Sequence, residues 1–427
     1  MSVFKTLRSF PRNFYTVIVM EFFERGSYYG VMSVLSVYLA LGINEGGLGF
    51  SKESIGVIKS TVTPLLYFLP ILSGALAARF GYKKILSMAF VLMSSGYALS
   101  STVTSYPMIF LCLLLMAVGA GLFKPLIAGT IAKNTDESNS SLGFGMYYWS
   151  INLGAFIFPL ILIPWMKSFG WSYIFIMAAV GTGWLFFLNL FTFREDKKTE
   201  KQKTIGETLL EMVMVVANVR FILLIIVYSL FWVMYFQMYD SVLWYVTEEV
   251  DMSAVNAWVN GVLSGFVENP QWKFDAEHVT VVNAGVIILL QLIVSTILKK
   301  TKPLPTMMVG ILFGSIGMAV LAFSTEGWFF LLGCVIFTLG EMTAHPKFIS
   351  YVGLIAPADK KALYQGYAFL YGVIGSGVGG ILGANLYVYY VEQNNNPSAL
   401  WLTFSGIGLL SVLLLFMYNR LFGRSAA

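Results

Sequence analysis

Apolar runs of about 20 residues or more recur along the whole 427-residue chain, near 14–41, 53–79, 84–103, 106–132, 142–166, 170–193, 218–247, 279–298, 305–324, 327–356, 362–391 and 398–422. Each is long enough to cross roughly 30 Å of hydrocarbon as a helix. Lipid offers an open backbone no hydrogen-bond partner, so a spanning segment must be a helix or part of a closed barrel. Barrel strands are about half this length and alternate apolar with polar residues, a pattern absent here. The expected fold class is therefore an all-α membrane protein with twelve transmembrane helices. Composition agrees: 57% of the residues are hydrophobic and 11% charged, where soluble domains carry about a quarter charged residues.

An even number of spans puts both termini on one side. The basic residues Lys5, Arg8, Arg12, Arg79, Lys83, Lys84, Arg194, Lys299, Lys300, Lys302, Lys360, Lys361, Arg420 and Arg424 all fall on that side. By the positive-inside rule it is the cytoplasm, which makes a multi-pass protein of the cell (cytoplasmic) membrane the expected location. The opposite loops are poor in Lys and Arg, and the longest, roughly 248–278, is acidic and should face outward. The basic start leads directly into a long span, so no removable signal peptide is expected.

One long charged stretch, "REDKKTEKQKTIGETLLEM", separates two halves of similar length. The expected organisation is an N-terminal six-helix bundle at 1–193, a cytoplasmic linker at 194–217 and a C-terminal six-helix bundle at 218–427. This is similar to the layout of major facilitator transporters. "GALAARFGYKK" after the second span resembles their loop motif, with Ala78 where an acid usually stands. The formal charge of +5 is spread among the loops and does not suggest nucleic acid as a partner. Cys112 and Cys334 both lie in apolar spans, which argues for packing roles and against a disulfide framework or a metal cluster.

Within the first span lies "EFFERGSYYG", Glu21 to Gly30. A charged side chain near the bilayer centre costs about 2.5–3.5 kcal/mol, so several together need partners or a water-filled cavity. On a helix Glu21, Glu24, Arg25 and Tyr28 stand at i, i+3, i+4 and i+7, one polar stripe on a single face. Burial disfavours a charged carboxylate and a guanidinium favours it, so two acids sharing one arginine can hold one exchangeable proton. A structural ion pair that fixes helix packing would leave a similar trace. Lys124 in "GLFKPLIAG" and Glu341 in "LGEMTAHPKF" also fall well inside spans, which points to one shared polar cavity.

These residues carry a resemblance. "EFFERGSYYG" resembles the E-x-x-E-R-F-x-Y-Y-G signature of the proton-dependent oligopeptide transporter family, and "MYYWSINLGAF" its F-Y-x-x-I-N-x-G segment. "LFKPLIAG" is similar to the family's fourth-helix F-K-P-N segment and "LGEMTAHP" to its tenth-helix Gly-Glu segment. The matches keep the expected order along nearly the whole chain. The resemblance implies proton coupling by Glu21, Glu24, Arg25 and Lys124. It further implies a substrate site of Arg25, Tyr28, Tyr29, Tyr67, Lys124, Asn152, Asn283 and Glu341, with Glu341 facing a substrate amino group.

The departures are specific. Peptide-carrying members have a second arginine seven residues after the first and a glutamate on the seventh helix, where this chain has Met32 and Phe236. Losing one alone would strand a buried charge, so the joint change reads as coordinated. Leu126 stands for an asparagine, Gly26 for a phenylalanine, Ala284 for a proline and Ala368 for a tryptophan. Two residues are additional candidates: Asp240, four residues after Phe236, as a displaced acid, and His345, one turn from Glu341, as a second proton site. Each has a plainer alternative, an interfacial acid facing water and a histidine packed near Pro346. Lys59 is expected to snorkel to the outer surface.

No catalytic residues are expected, since an enzyme needs a nucleophile with its base or a metal set. His278 and His345 are the only two histidines, and neither Cys-x-x-Cys nor Gly-x-Ser-x-Gly occurs. "GSGVGG" at Gly375–Gly380 fits a dinucleotide pattern but lies in a span and reads as a small-residue packing face. The leading reading is a symporter importing short peptides or peptide-like zwitterions by alternating access, as a monomer, with protons as coupling ion and no cofactor. The alternative is a divergent major facilitator transporter that moves another small solute, inward or outward, with the same cluster.

Overall fold

The structure is a computed structural model that describes residues 6–7, 9–136, 139–195, 205–357 and 360–422. Among the described residues it is helical, and twelve spans appear. They are Arg12–Ala40, Lys52–Phe80, Tyr82–Ser100, Tyr106–Lys133, Ser140 to Lys167, Trp171–Thr192, Val219 to Glu248, Glu277–Leu298, Pro303–Leu321, Gly327–Ile355, Lys361 to Gln393 and Pro397–Phe422. Their ends lie within a few residues of the apolar runs. Ten are long and apolar enough to cross a membrane by composition alone. The first span is not among those ten, because Glu21, Glu24 and Arg25 interrupt its apolar sequence.

Several spans depart from regular helix where the sequence demands it. Pro64 and Pro70 lie inside the second span, Pro125 inside the fourth and Pro346 inside the tenth, each removing a backbone donor. The fifth and eleventh spans carry wide turns at Phe158–Leu162 and Val388–Gln393, the first around Pro159. The seventh span breaks between Gln237 and Ser241, with Asp240 in the turn. In the linker an unexpected helix runs Ile205–Val216.

The chain gathers into two compact units, Met1–Val31 with Thr61–Ala217, and Met32–Ser60 with Asn218–Ala427. In the first unit the third and fourth spans pack at backbone distance: a Cβ added at Gly119 would stand 2.6 Å from the Ala89 carbonyl. Glu195 accepts from the backbone amides of Tyr82 and Lys83 at 2.8 and 2.9 Å. An acid from the end of the sixth span thus satisfies amides at the start of the third, where helices favour negative charge.

In the second unit the ninth and tenth spans meet through Gly310, Gly317, Gly333 and Gly340. A Cβ at Gly317 would come within 2.6 Å of the Phe337 nitrogen. The Gly375–Gly380 stretch is a packing face: Gly375 lies against Trp232, and Gly380 lies against the second-span backbone at Ser60. Cys112 and Cys334 are buried free thiols.

Candidate functional site

The first unit holds the charge cluster. Glu21, Glu24 and Arg25 are buried. Arg25 donates to both oxygens of Glu24, Nε to Oε2 at 2.5 Å and Nη2 to Oε1 at 2.6 Å, a bidentate pair between sequence neighbours. Glu21, on the same face one turn earlier, has Oε1 3.9 Å from Arg25 Nε. Neither Glu21 oxygen makes a well-formed hydrogen bond among the described residues. Lys124 from the fourth span and Tyr147 from the fifth are its further polar neighbours.

Aromatic rings complete this cluster. The Arg25 guanidinium lies 4.8 Å from the ring centre of Tyr28 and 5.9 Å from that of Tyr29, and Lys124 Nζ lies 5.6 Å from that of Tyr67. Tyr97, fully buried, adds its hydroxyl near Glu24. Asn152 donates from Nδ2 to the Tyr148 carbonyl of its own helix at 2.9 Å. Structure therefore brings Glu21, Glu24, Arg25, Tyr28, Tyr29, Tyr67 and Lys124 together. Tyr147 was not singled out in the sequence, although it stands inside "MYYWSINLGAF", five residues before Asn152.

The second unit holds the other group. Asn283 of the eighth span donates to Glu341 Oε2 at 3.0 Å and to Thr338 Oγ1 at 3.1 Å, so these two expected residues are direct partners. His345 is one turn further along the tenth span. Its Nδ1 is 3.3 Å from the Tyr228 hydroxyl, and the rings of Trp232 and Tyr371 stand 5.4 and 5.7 Å from its own. Met32 and Phe236 are both buried apolar side chains.

Asp240 does not face water. It is buried, accepts from Ser36 Oγ at 2.9 Å and pairs with Lys59 Nζ at 2.8 Å. Lys59 therefore does not snorkel to the surface as its position suggested: it is buried and also donates to the Tyr239 carbonyl at 3.2 Å. A turn and more away on the second span, Lys52 pairs with Glu248 at 2.8 Å and Glu392 at 2.5 Å. Its Nζ also lies 4.5 Å from the Tyr387 ring centre. No group of His, Cys, Asp and Glu able to hold a metal ion occurs among the described residues.

A multi-pass helical membrane protein with buried, mutually paired charges in its spans has the architecture of a solute transporter. The profile of the Major Facilitator Superfamily matches residues 17–380, and the chain belongs to that family. Over 176 residues, 40% of this chain, it is 32% identical to dipeptide and tripeptide permease A of Klebsiella pneumoniae (strain 342), reaching 34% of that permease's length. Over 174 residues it is 32% identical to the uncharacterized transporter YclF of Bacillus subtilis (strain 168), reaching 35% of its length. The chain thus aligns with about a third of the length of these curated relatives.

Among solved structures, a peptide transporter POT in complex with sulfate superposes with a TM-score of 0.80 at 20% identity, covering 97% of this chain and 95% of that one. A POT family transporter in complex with 5-aminolevulinic acid superposes with a TM-score of 0.77 at 19% identity, covering 97% and 99%. These likenesses establish the fold. Family and neighbours are transporters, not enzymes.

Proposed function

We propose that this protein is a proton-coupled secondary transporter that imports short peptides or peptide-like zwitterions by alternating access. The observation that carries the reading is the buried Glu24–Arg25 pair with Glu21 beside it and Lys124 near by. In this arrangement Arg25 is held by one acid while a second acid stands ready, with few bonds to lose. A proton taken up at Glu21 or Glu24 lowers the cluster's negative charge and loosens the hold on Arg25 and Lys124. The two cations then meet a substrate carboxylate, and proton release restores the internal pair. Glu341, oriented by Asn283, offers the complementary anion to a substrate amino group.

The transporter works as a monomer in the cytoplasmic membrane, both termini on the cytoplasmic side, with protons as coupling ion and no cofactor. The lysine- and arginine-rich loops support that orientation. The relatives named for dipeptides and tripeptides, and the family motifs, support the peptide class. A second reading, transport of another small solute with the same cluster, is favoured by one observation: Met32 and Phe236 leave apolar side chains where peptide-carrying relatives place an ion pair.

The test is purified protein in vesicles that enclose a pH-sensitive dye, with a negative-inside potential. Dipeptides, tripeptides or single amino acids are added outside. Lumenal acidification with dipeptides, lost in Glu21→Gln or Lys124→Ala, is the expected result. Acidification with other small solutes alone selects the second reading, and none with any solute in folded protein removes both.

A further inference from the structure

The loop between the seventh and eighth spans contains a helix, Ser253–Leu263, whose sides are reversed relative to a water-soluble helix. Its two asparagines point inward. Asn256 Oδ1 accepts from the Phe274 amide at 2.8 Å, and Asn260 bonds both the Trp272 amide and carbonyl, at 2.9 and 2.8 Å. Large apolar side chains point outward along the helix and the turn that follows it: Trp258 is 60% exposed, Val262 51% and, in the turn, Phe266 85%. These three stand at i, i+4 and i+8, and Ala254, Ala257, Gly261 and Gly265 fill the same exposed side. From Met252 to Val267 there is no charged residue.

Position adds a second, independent observation. Asp251, just before the helix, accepts from the Gly327 amide at 2.9 Å and donates to the Thr325 carbonyl at 2.9 Å. Gly327 is the first residue of the tenth membrane span. The helix seats on it so closely that a Cβ there would lie 2.8 Å from Met252 Sδ and 3.0 Å from Val255. The Trp258 ring stands edge-on to Trp328, centres 5.7 Å apart. Trp328, Phe329 and Leu332, all exposed, carry the apolar surface onward along the tenth span into the region that hydrocarbon covers.

We infer that Ser253–Leu263 lies in the membrane interface, with Trp258, Val262 and Phe266 inserted among the lipids at the end of the tenth span. An exposed apolar stripe of this kind needs an apolar cover. Lipid already covers the surface with which it is continuous, and tryptophan favours the depth where chains meet headgroups. Interfacial helices ordinarily turn a charged side to water. Here the loop at Trp272–Phe274 satisfies the polar side, which accounts for the missing charges. The segment would anchor the loop to the bilayer beside the ends of spans seven and ten. This inference needs only that the chain spans a membrane and does not depend on what it carries.

The test places a single fluorescent label on Val262→Cys, Phe266→Cys or Ser264→Cys, the last an exposed position in the turn after the helix that lies between the other two and off the stripe, in the full chain in lipid nanodiscs. Cys112 and Cys334 are buried and leave the new thiol as the accessible one. Labelled proteins that elute as single species are compared using aqueous iodide and lipids spin-labelled near the headgroup. The expected result is at least twofold stronger lipid quenching at positions 262 and 266 than at 264, with the order reversed for iodide. Equal iodide quenching at all three positions would place the helix in water and overturn the inference. Shielding of 262 and 266 from both quenchers would mean that protein, a second copy or a partner, covers the stripe, and would overturn it equally.

Discussion

Lys59 Nζ lies 2.8 Å from Asp240 Oδ1, joining the second span to the turn that breaks the seventh. Both side chains are buried, and Ser36 of the first span hydrogen-bonds the same carboxylate oxygen. Ser36, Lys59 and Asp240, all residues of the second unit, therefore bring three spans to one ion pair. It stands four residues from the buried apolar Phe236, so the acid–base pair of this region is made by Lys59 and Asp240.

Breaking a buried pair from one side leaves an uncompensated charge and costs about 3–5 kcal/mol, whereas replacing both partners with apolar residues is often close to neutral. Asp240→Asn and Lys59→Met should each lower the midpoint of thermal unfolding in detergent. The Lys59→Met/Asp240→Leu double variant should recover much of that loss. Additive losses in the double variant would show that the two side chains do not act as a pair.

Glu21 and Glu24 should separate in stability while agreeing in coupling. Glu24→Gln strips Arg25 of a bidentate partner and should destabilise by about 3–5 kcal/mol. Glu21→Gln removes a carboxylate at 3.9 Å and should cost under about 1 kcal/mol. Both should abolish accumulation driven by a pH gradient. Chemical unfolding of each variant, set beside uptake with and without the gradient, reads out the two effects independently.

Asn283→Ala should leave Glu341 without the amide donor that orients it, at a cost of about 1–3 kcal/mol. If Glu341 receives a substrate amino group, this variant should raise the half-saturating concentration of an amino-bearing solute more than that of its N-acetylated counterpart. Concentration curves for the two solutes in vesicles test this, and an equal change in both would confine Asn283 to packing.

Helix contacts through glycine predict a sharp contrast. Gly317→Ala brings a Cβ to 2.6 Å from the Phe337 nitrogen, which the backbone must move to relieve, and should destabilise by about 1–3 kcal/mol. Gly406→Ala, also within a span, meets nothing within 4 Å and should be neutral or slightly stabilising. Thermal midpoints of the two purified variants decide the matter.

Whatever depends on local geometry and on the solvent is legible in the residues alone. Runs of apolar residues had to become helices because hydrocarbon offers a backbone nothing else, and the helical repeat placed Glu21, Glu24, Arg25 and Tyr28 on one stripe. Asn283 and Glu341 were legible through family motifs, but their direct hydrogen bond was not, because 58 positions separate them along the chain. The choice of partners comes from packing between distant segments. Arg25 grips its neighbour Glu24 rather than Glu21 one turn back, although i, i+4 is the usual helical pairing. Lys59 could reach water in an isolated helix, and it turns inward because the seventh span brings Asp240 within reach. The loop helix shows the same limit: which of its sides faces protein depends on where Trp272, Phe274 and Gly327 stand, and chain folding over long separations sets those places.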